Sequence, residues 1–390
     1  MRKFSAHRIY PVSSPPIDFG IIETTNDGTI LNIRDTGGQP VEETGLEFYS
    51  GIIVPGFVNT HCHLELSHLK SLIPEHTGIS GFIAEVSKIR SADTERILEA
   101  SRQADQMMYQ QGISGTGDIS NTAITLSIKN KSQIQYHTFI ELFGLDPQMA
   151  ASRFGLAREI ADSFKKARLP YSFSPHAPYS VSVDLWEMLS RETDQNRRIS
   201  IHHDESMAER EILKHRSGPM AETFKNAGFN LSALPDEAHS VFRLLGKYLP
   251  GSDWILVHNT ITDPLLASGQ SKPGVYWALC PRSNRYIENQ LPDIARFAAS
   301  NLTVCLGTDS LASNHSLSVL DEMITITEAV PEIGFDTLLR WATFNGACAL
   351  GMEGNLGTIE PGKRPGLVNI PVFDWKKEGL LANSKPIRLI

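Results

Sequence analysis

The sequence predicts an α/β protein, a (β/α)8 TIM barrel carrying a small β-sandwich-like domain formed from both termini. Two observations lead there. Eight short apolar runs recur along the chain, separated by polar, Gly/Pro-rich and helix-patterned stretches. Strand-then-helix alternation gives parallel strands joined by crossover helices, and eight such units over about 300 residues suit a barrel. Both ends of the chain lie outside the eight units and read as strands with turns. A doubly wound open sheet is the alternative. It more often places a glycine-rich phosphate turn after its first strand, and the first run here ends in HCH instead.

Residues 1–54 alternate apolar and polar side chains, with turn signals at NDG (26–28) and TGGQP (36–40). The eight runs are GFVNTHCH, GISGTGDIS, IQYHTFIELFG, PYSFSPHAPYS, ISIHHDES, WILVHNT, VYWALCPRSN and LTVCLGTDS. Amphipathic stretches at 94–112, 153–169 and 291–301 supply crossover helices. From Met207 to Leu249 the connection is unusually long and carries helical patterns of its own. Connections of that length on the C-terminal face of a barrel serve as lids or specificity elements; a structural decoration or a dimer contact stays equally open. Residues 355–390 are strand-like again. The expected division is therefore 1–54 with 355–390 as the small β domain and 55–354 as the barrel.

Composition narrows the function. Of 390 residues, 41% are hydrophobic and 21% charged, an ordinary globular balance. Net charge is −8, with no Lys/Arg run, so nucleic acid is not the expected partner. Four cysteines (Cys62, Cys280, Cys305, Cys348) lack CxxC spacing, which suits a reduced compartment. The basic N-terminus has no apolar h-region, and no stretch approaches the roughly 18 apolar residues of a membrane span. A soluble cytoplasmic protein is expected, with no membrane partner; a homodimer is allowed but nothing in the sequence selects it.

Barrel chemistry sits at the C-terminal strand ends. Here the runs end in His61/His63, Asp118, Glu141, His176, His202/His203, His258, Arg282/Asn284 and Asp309. A single histidine is usually a surface or satisfied core residue. A His-x-His pair is stronger, because period two turns both rings to one side of a strand. A third histidine and an aspartate on other strand ends shift the balance toward a metal, since Zn²⁺ takes imidazole nitrogens and a carboxylate readily and a catalytic site keeps one position open for water.

PGFVNTHCHLELS, ISIHHDES, LVHN, CPRSN and LGTDSLASN, in that order, resemble the amidohydrolase superfamily. They are most similar to its mononuclear deaminase/chlorohydrolase branch, and HLELSHLKSLIPEHTG and FIELFGL look aminofutalosine deaminase-like. The resemblance spans essentially the whole chain, including ATFNGACALG (342–351) and GTIEPGKRPG (357–366). It implies one divalent metal, Zn²⁺ with Fe²⁺ as the alternative, on His61, His63, His202 and Asp309. His203 is the rival to His202, and the H-x-x-E spacing to Glu205 favours His202. The resemblance further implies Glu205 as the acid that protonates a ring nitrogen, His258 as the group orienting the attacking water, and Asp309 as its proton acceptor. Dinuclear members carry a lysine at the end of the fourth strand. That run here offers His176 and no lysine, which implies one metal and makes His176 a substrate contact. Glu141 is a candidate for ribose hydroxyls or ring nitrogens, Arg282 (with Arg285) for a carboxylate; an ion pair and solvated loop charges are the bland readings. The Gly-Lys-x-Ala-Asp usual near the C-terminus reads GKRPGL, a departure that falls in the β domain. The implied activity is hydrolytic deamination of a small aminated heterocycle, an adenine-bearing nucleoside such as aminodeoxyfutalosine. Alternatives are a chlorohydrolase, an imidazolonepropionase-like cyclic-amide hydrolase, or an inactive metal-bound binding protein.

Overall fold

A computed structural model describes residues 1–192 and 198–390. All eight predicted runs are strands: β6 (Phe57–Cys62), β7 (Ile113–Ser120), β8 (Gln135–Leu142), β9 (Tyr171–Pro175), β10 (Arg198–His203), β11 (Asp253–His258), β12 (Val275–Leu279) and β13 (Thr303–Leu306). They form two four-stranded parallel sheets, in the orders β6-β7-β8-β9 and β10-β11-β12-β13. Period two is visible along β11. Trp254 and Leu256 join the large apolar cluster shared with the helices, while Ile255 and Val257 join a second cluster capped by Ala347 and Leu350. Burial on both faces is what a parallel sheet flanked by helices demands.

The two sheets meet at both edges. Between β9 and β10, Ser172 Oγ donates to Arg198 O at 2.6 Å, Ser174 Oγ to Ser200 O at 2.7 Å, and His202 N to His176 O at 2.9 Å. Between β13 and β6, Thr60 Oγ1 donates to Leu306 O at 2.7 Å, Asp309 N donates to His61 O at 3.0 Å, and Cys62 and Asp309 form an isolated parallel bridge. Gly307 permits that approach. A Cβ there would lie 2.8 Å from His61 Cβ and 3.0 Å from Cys280 Sγ, closer than carbon and sulfur tolerate.

The remaining strands come from the two ends. β1 (Arg2–Ile9), β2 (Ile17–Asp18), β3 (Ile21–Thr24), β4 (Ile30–Arg34) and β5 (Leu46–Pro55) share one seven-stranded sheet with β14 (Leu367–Ile370) and β15 (Ile387–Arg388). β14 runs antiparallel to β5, pairing Val368 with Val54. Phe4, Ile22, Ile53, Ile359 and Leu367 form a separate apolar cluster from both ends of the chain. The sequence suggested a sandwich; the described strands hydrogen-bond into this single sheet.

The three amphipathic stretches are helices at Thr94–Gln110, Ala150–Lys166 and Ile294–Ala299. The long connection after β10 folds as Met207–His215, Pro219–Asn226 and Val241–Tyr248, with two short 3-10 turns between the last two. A helix at Gly78–Ile89, to which the sequence gave no prominence, packs against Pro219–Asn226, with Ile79 and Phe82 in one apolar cluster with Met220 and Phe224. Among the described residues, no helix is long and apolar enough to cross a membrane.

Candidate metal and active site

The strand-end histidines converge. His61 Nε2 and His63 Nε2 lie 3.1 Å apart, and Asp309 Oδ1 is 3.6 Å from the first and 3.3 Å from the second. The ligand atoms of His61, His202 and His258 all fall within 4.8 Å of one another, as do those of Glu141, His176 and His202. His203, adjacent to His202, turns away: its Nδ1 bonds Asn259 Oδ1 at 2.9 Å and its ring packs edge-on to Trp277.

Local hydrogen bonds fix which atoms face inward. His202 Nδ1 is 2.7 Å from His176 O. A carbonyl only accepts, so Nδ1 carries the proton and Nε2 presents its lone pair to the cluster. Asp309 Oδ2 accepts from Ser283 Oγ at 2.7 Å and Ser313 Oγ at 2.5 Å, leaving Oδ1 toward the histidines. Asp309 and His258 both adopt left-handed backbone, φ 57° and 77°, where an ordinary residue is strained. Such conformations gather where a tertiary frame imposes them.

Electrostatics suit a cation. Burial drives His63 down to about 3 and His176 to about 4, and holds His202 and His258 well below the ordinary range, so these rings are neutral. Burial pushes Asp309 up, but its contact with His61 and the neighbouring His63 and His258 outweigh that and hold it well below the carboxylate range. His258 Nδ1 is buried without a protein partner. Neutral nitrogens, an ionised carboxylate and an orphaned buried ring nitrogen fit a divalent metal with N/O ligands. His61, His63 and Asp309 form one such group and His61, His202 and His258 another, with His61 common to both.

Glu205 lines the same cavity as the cluster. It is buried, its Oε1 lies 3.7 Å from His258 Nε2, and burial followed by the nearby Asp309, Glu209 and Glu288 raises it well above the carboxylate range. Its backbone is anchored by the helix it introduces. Ser206 caps Met207–His215 by accepting from Glu209 N, while the Glu209 carboxylate accepts from Glu205 N at 2.7 Å and Asp204 N at 3.2 Å, a capping box extended outward.

A cavity of about 280 Å³ opens on this cluster. His63, His202, Glu205, His258 and Asp309 form its base, and Ile79, Phe82, Ile83 and Val86 of Gly78–Ile89 one apolar wall; Phe224 and Phe229 of the long connection also line it. Glu141 and His176 face it, as the sequence suggested; Arg282 is not among its lining residues, and its Nε donates to Asn314 Oδ1 at 3.1 Å. The arginines that do line the cavity are Arg90 and Arg153. Sequence reasoning missed both, and missed Asn121. Neither arginine lies at a strand end, and Asn121 falls one residue past β7. Asp118, flagged as a strand-end group, turns into a fully buried ion pair with Lys129 at 2.6 Å.

Parallel strands with a His/Asp cluster and a buried carboxyl at their C-terminal ends suit a hydrolase-type metal centre. Residues 52–382 match the Amidohydrolase family, and the chain belongs to that family. It is 27% identical over 380 residues to an adenosine deaminase of Helicobacter pylori, covering 93% of this chain and 88% of that one. The crystal structure of Helicobacter pylori aminofutalosine deaminase in complex with methylthio-coformycin superposes with a TM-score of 0.83 at 22% identity, over 100% of both chains. A zinc-bound adenosine deaminase structure from Xanthomonas campestris gives a TM-score of 0.69 at 20% identity, over 95% of this chain and 84% of that one.

Proposed function

We propose that the protein is a metal-dependent hydrolytic deaminase of an aminated heterocycle, with an adenine-bearing nucleoside such as aminodeoxyfutalosine as substrate. The observation that carries this reading is Glu205, a buried carboxyl beside the His/Asp cluster and open to the same cavity, which burial raises above the carboxylate range. A structural metal site has no use for such an acid. The names of the relatives, adenosine deaminase and aminofutalosine deaminase, support it.

His61, His63, His202 and Asp309 would hold the metal, zinc in preference to iron(II). When bound, it supplies Lewis-acid activation of the attacking water. Asp309 accepts a proton from that water and His258 orients it. As the C–O bond forms at the amino-bearing ring carbon, Glu205 delivers its proton to the neighbouring ring nitrogen. Asp309 then returns its proton to the amino group, the C–N bond breaks and ammonia leaves. Glu205 recovers a proton from the new hydroxyl as the carbonyl forms. Each positioned transfer contributes about 10²–10⁴-fold. His176 and Glu141 face the remainder of the substrate, and Arg153 and Arg90 are better placed than Arg282 for an anionic substituent.

Contacts along both sheet edges support reading residues 55–354 as one closed (β/α)8 barrel, with 1–54 and 355–390 as the small β domain. Four unpaired cysteines accord with a cytoplasmic setting, the segment 207–249, which lines the cavity through Phe224 and Phe229, is read as a lid or specificity element or else a dimer contact, and a homodimer is the assembly sedimentation would test.

The test is ammonia release by zinc-loaded protein from aminodeoxyfutalosine, adenosine, methylthioadenosine, guanine and cytosine, with Glu205→Gln as control. Release that depends on Glu205 supports a deaminase and ranks the substrates. Silence across the panel with metal bound rejects deamination of these rings and turns attention to C–Cl and cyclic-amide hydrolysis.

A further inference from the structure

Beside the histidine cluster, two opposite charges line the cavity without pairing. Arg90, the residue that ends the helix Gly78–Ile89, donates from Nη2 to Asn121 Oδ1 at 2.9 Å. Asn121 Nδ2 donates to Glu141 Oε2 at 2.8 Å. The amide orientation follows from its neighbours, since a guanidinium only donates and a carboxylate only accepts. All three residues line the cavity.

We propose that Asn121 is a specificity-determining positioning residue: its amide holds Arg90 and Glu141 apart and leaves both with hydrogen-bonding capacity for a substrate that carries hydroxyl donors and an anionic group. The proposal rests on the deaminase reading for its substrate and on geometry alone for the charge separation. An arginine and a carboxylate free to meet form a bidentate pair that consumes both carboxylate oxygens and one edge of the guanidinium. Interposing a neutral amide uses one atom of each. Glu141 Oε1 is left buried with no partner, a state that costs free energy unless a ligand satisfies it. The Glu141 carboxylate also lies within 4.8 Å of the ligand nitrogens of His176 and His202, so a hydroxyl placed between Glu141 and His176 meets both.

The amide is itself held from beneath. Glu65, two residues after His63, accepts from Asn121 N at 3.1 Å through one oxygen and from Thr122 N at 3.1 Å and Thr122 Oγ1 at 2.8 Å through the other. His68 contacts Glu65 O at 3.0 Å and Arg90 O at 3.1 Å, tying the end of the Gly78–Ile89 helix to the same frame. The backbone at Arg90, Asn121 and Thr122 is thus held by the buried side chains of His68 and Glu65. That is the arrangement a selective site needs and a solvated surface pair does not.

The experiment compares wild type with Asn121→Ala and with Asn121→Asp, which keeps the shape but ties up Arg90 and repels Glu141. Kinetics are read on a nucleoside with an anionic side group (aminodeoxyfutalosine) and one without (adenosine). For both variants KM for the anionic nucleoside should rise about tenfold or more while kcat stays within about threefold, the pattern of lost ground-state binding; adenosine should lose less. Zinc content should not change. Crystal structures of the same variants give a readout that needs no turnover: in Asn121→Ala, Arg90 and Glu141 should close to ion-pair distance. If wild type deaminates nothing, the deaminase reading fails, and the crystal structures still decide the charge-separation claim. Arg90 and Glu141 remaining apart in Asn121→Ala, or an unchanged KM ratio between the two nucleosides in an active enzyme, overturns the proposal.

Discussion

Lys129→Met should be among the most destabilising single substitutions in this chain, and its cost follows from the surroundings of the ammonium. Lys129 Nζ pairs with Asp118 Oδ2 at 2.6 Å and donates to Ser120 Oγ at 2.9 Å and Thr138 Oγ1 at 3.0 Å. Those three partners use the whole ammonium valence, and both charged side chains are at 0% exposure. Removing the lysine strands the Asp118 carboxylate in a low-dielectric interior, at a cost of about 3–5 kcal/mol. Against a typical net stability of about 5–15 kcal/mol that is a large fraction. Replacing both partners avoids the stranded charge, so Asp118→Asn/Lys129→Met should cost less than the two single changes together, with a coupling of about 2 kcal/mol. Guanidinium unfolding of the four proteins, followed by far-UV circular dichroism, measures that cycle. A Lys129→Met loss below about 1 kcal/mol, or additive single effects, would show that the pair is not isolated from water and refute the reasoning. A second consequence reaches the metal. Asp118 Oδ1 accepts from Leu64 N at 2.7 Å, directly after His63. Asp118→Ala removes that anchor and should weaken zinc affinity about 10–100-fold in chelator competition.

Glu205→Gln should keep metal content at the wild-type level while kcat falls about 10²–10⁴-fold; a wild-type rate would remove Glu205 from its role. Arg153→Ala should raise KM for an anionic nucleoside at least about fivefold while Arg282→Ala leaves it within about twofold, because only the first lines the cavity; equal effects would contradict the placement. Burial raises Glu322 from its ordinary 4.5 to about 8, against the Arg282 and Asn314 contacts that pull it down. Between those values the folded state binds more protons than the unfolded one. Stability therefore falls as pH rises through this window, by up to about 1.4 kcal/mol per pH unit from this group. Denaturation curves of wild type and Glu322→Gln across pH 5–8 should show a shallower fall in the variant.

What the sequence made legible was whatever sits at a strand end. His61, His63, His202, His258 and Asp309 are each the last or nearly the last residue of an apolar run, so strand periodicity and barrel geometry together point them at one another without any knowledge of the loops. Alternation set His202 and His203 on opposite sides, and the choice of His202 came from the H-x-x-E spacing to Glu205 that the family resemblance implies. The rest of the cavity lining was hidden because its parts come from elements with no common period: Arg90 from a helix end, Asn121 from the loop after a strand, Arg153 from a crossover helix, and Phe224 and Phe229 from the long connection. Asp118 shows the converse limit. It lies near the end of the strand beside the histidines, and Lys129 together with Leu64 N turns it to a structural use. Position along a strand thus sets which groups are available to the chemistry. Which of them reach the substrate depends on the counter-charges that the intervening segments bring up, and the Arg90–Asn121–Glu141 relay is where that selection can be altered without touching a metal ligand.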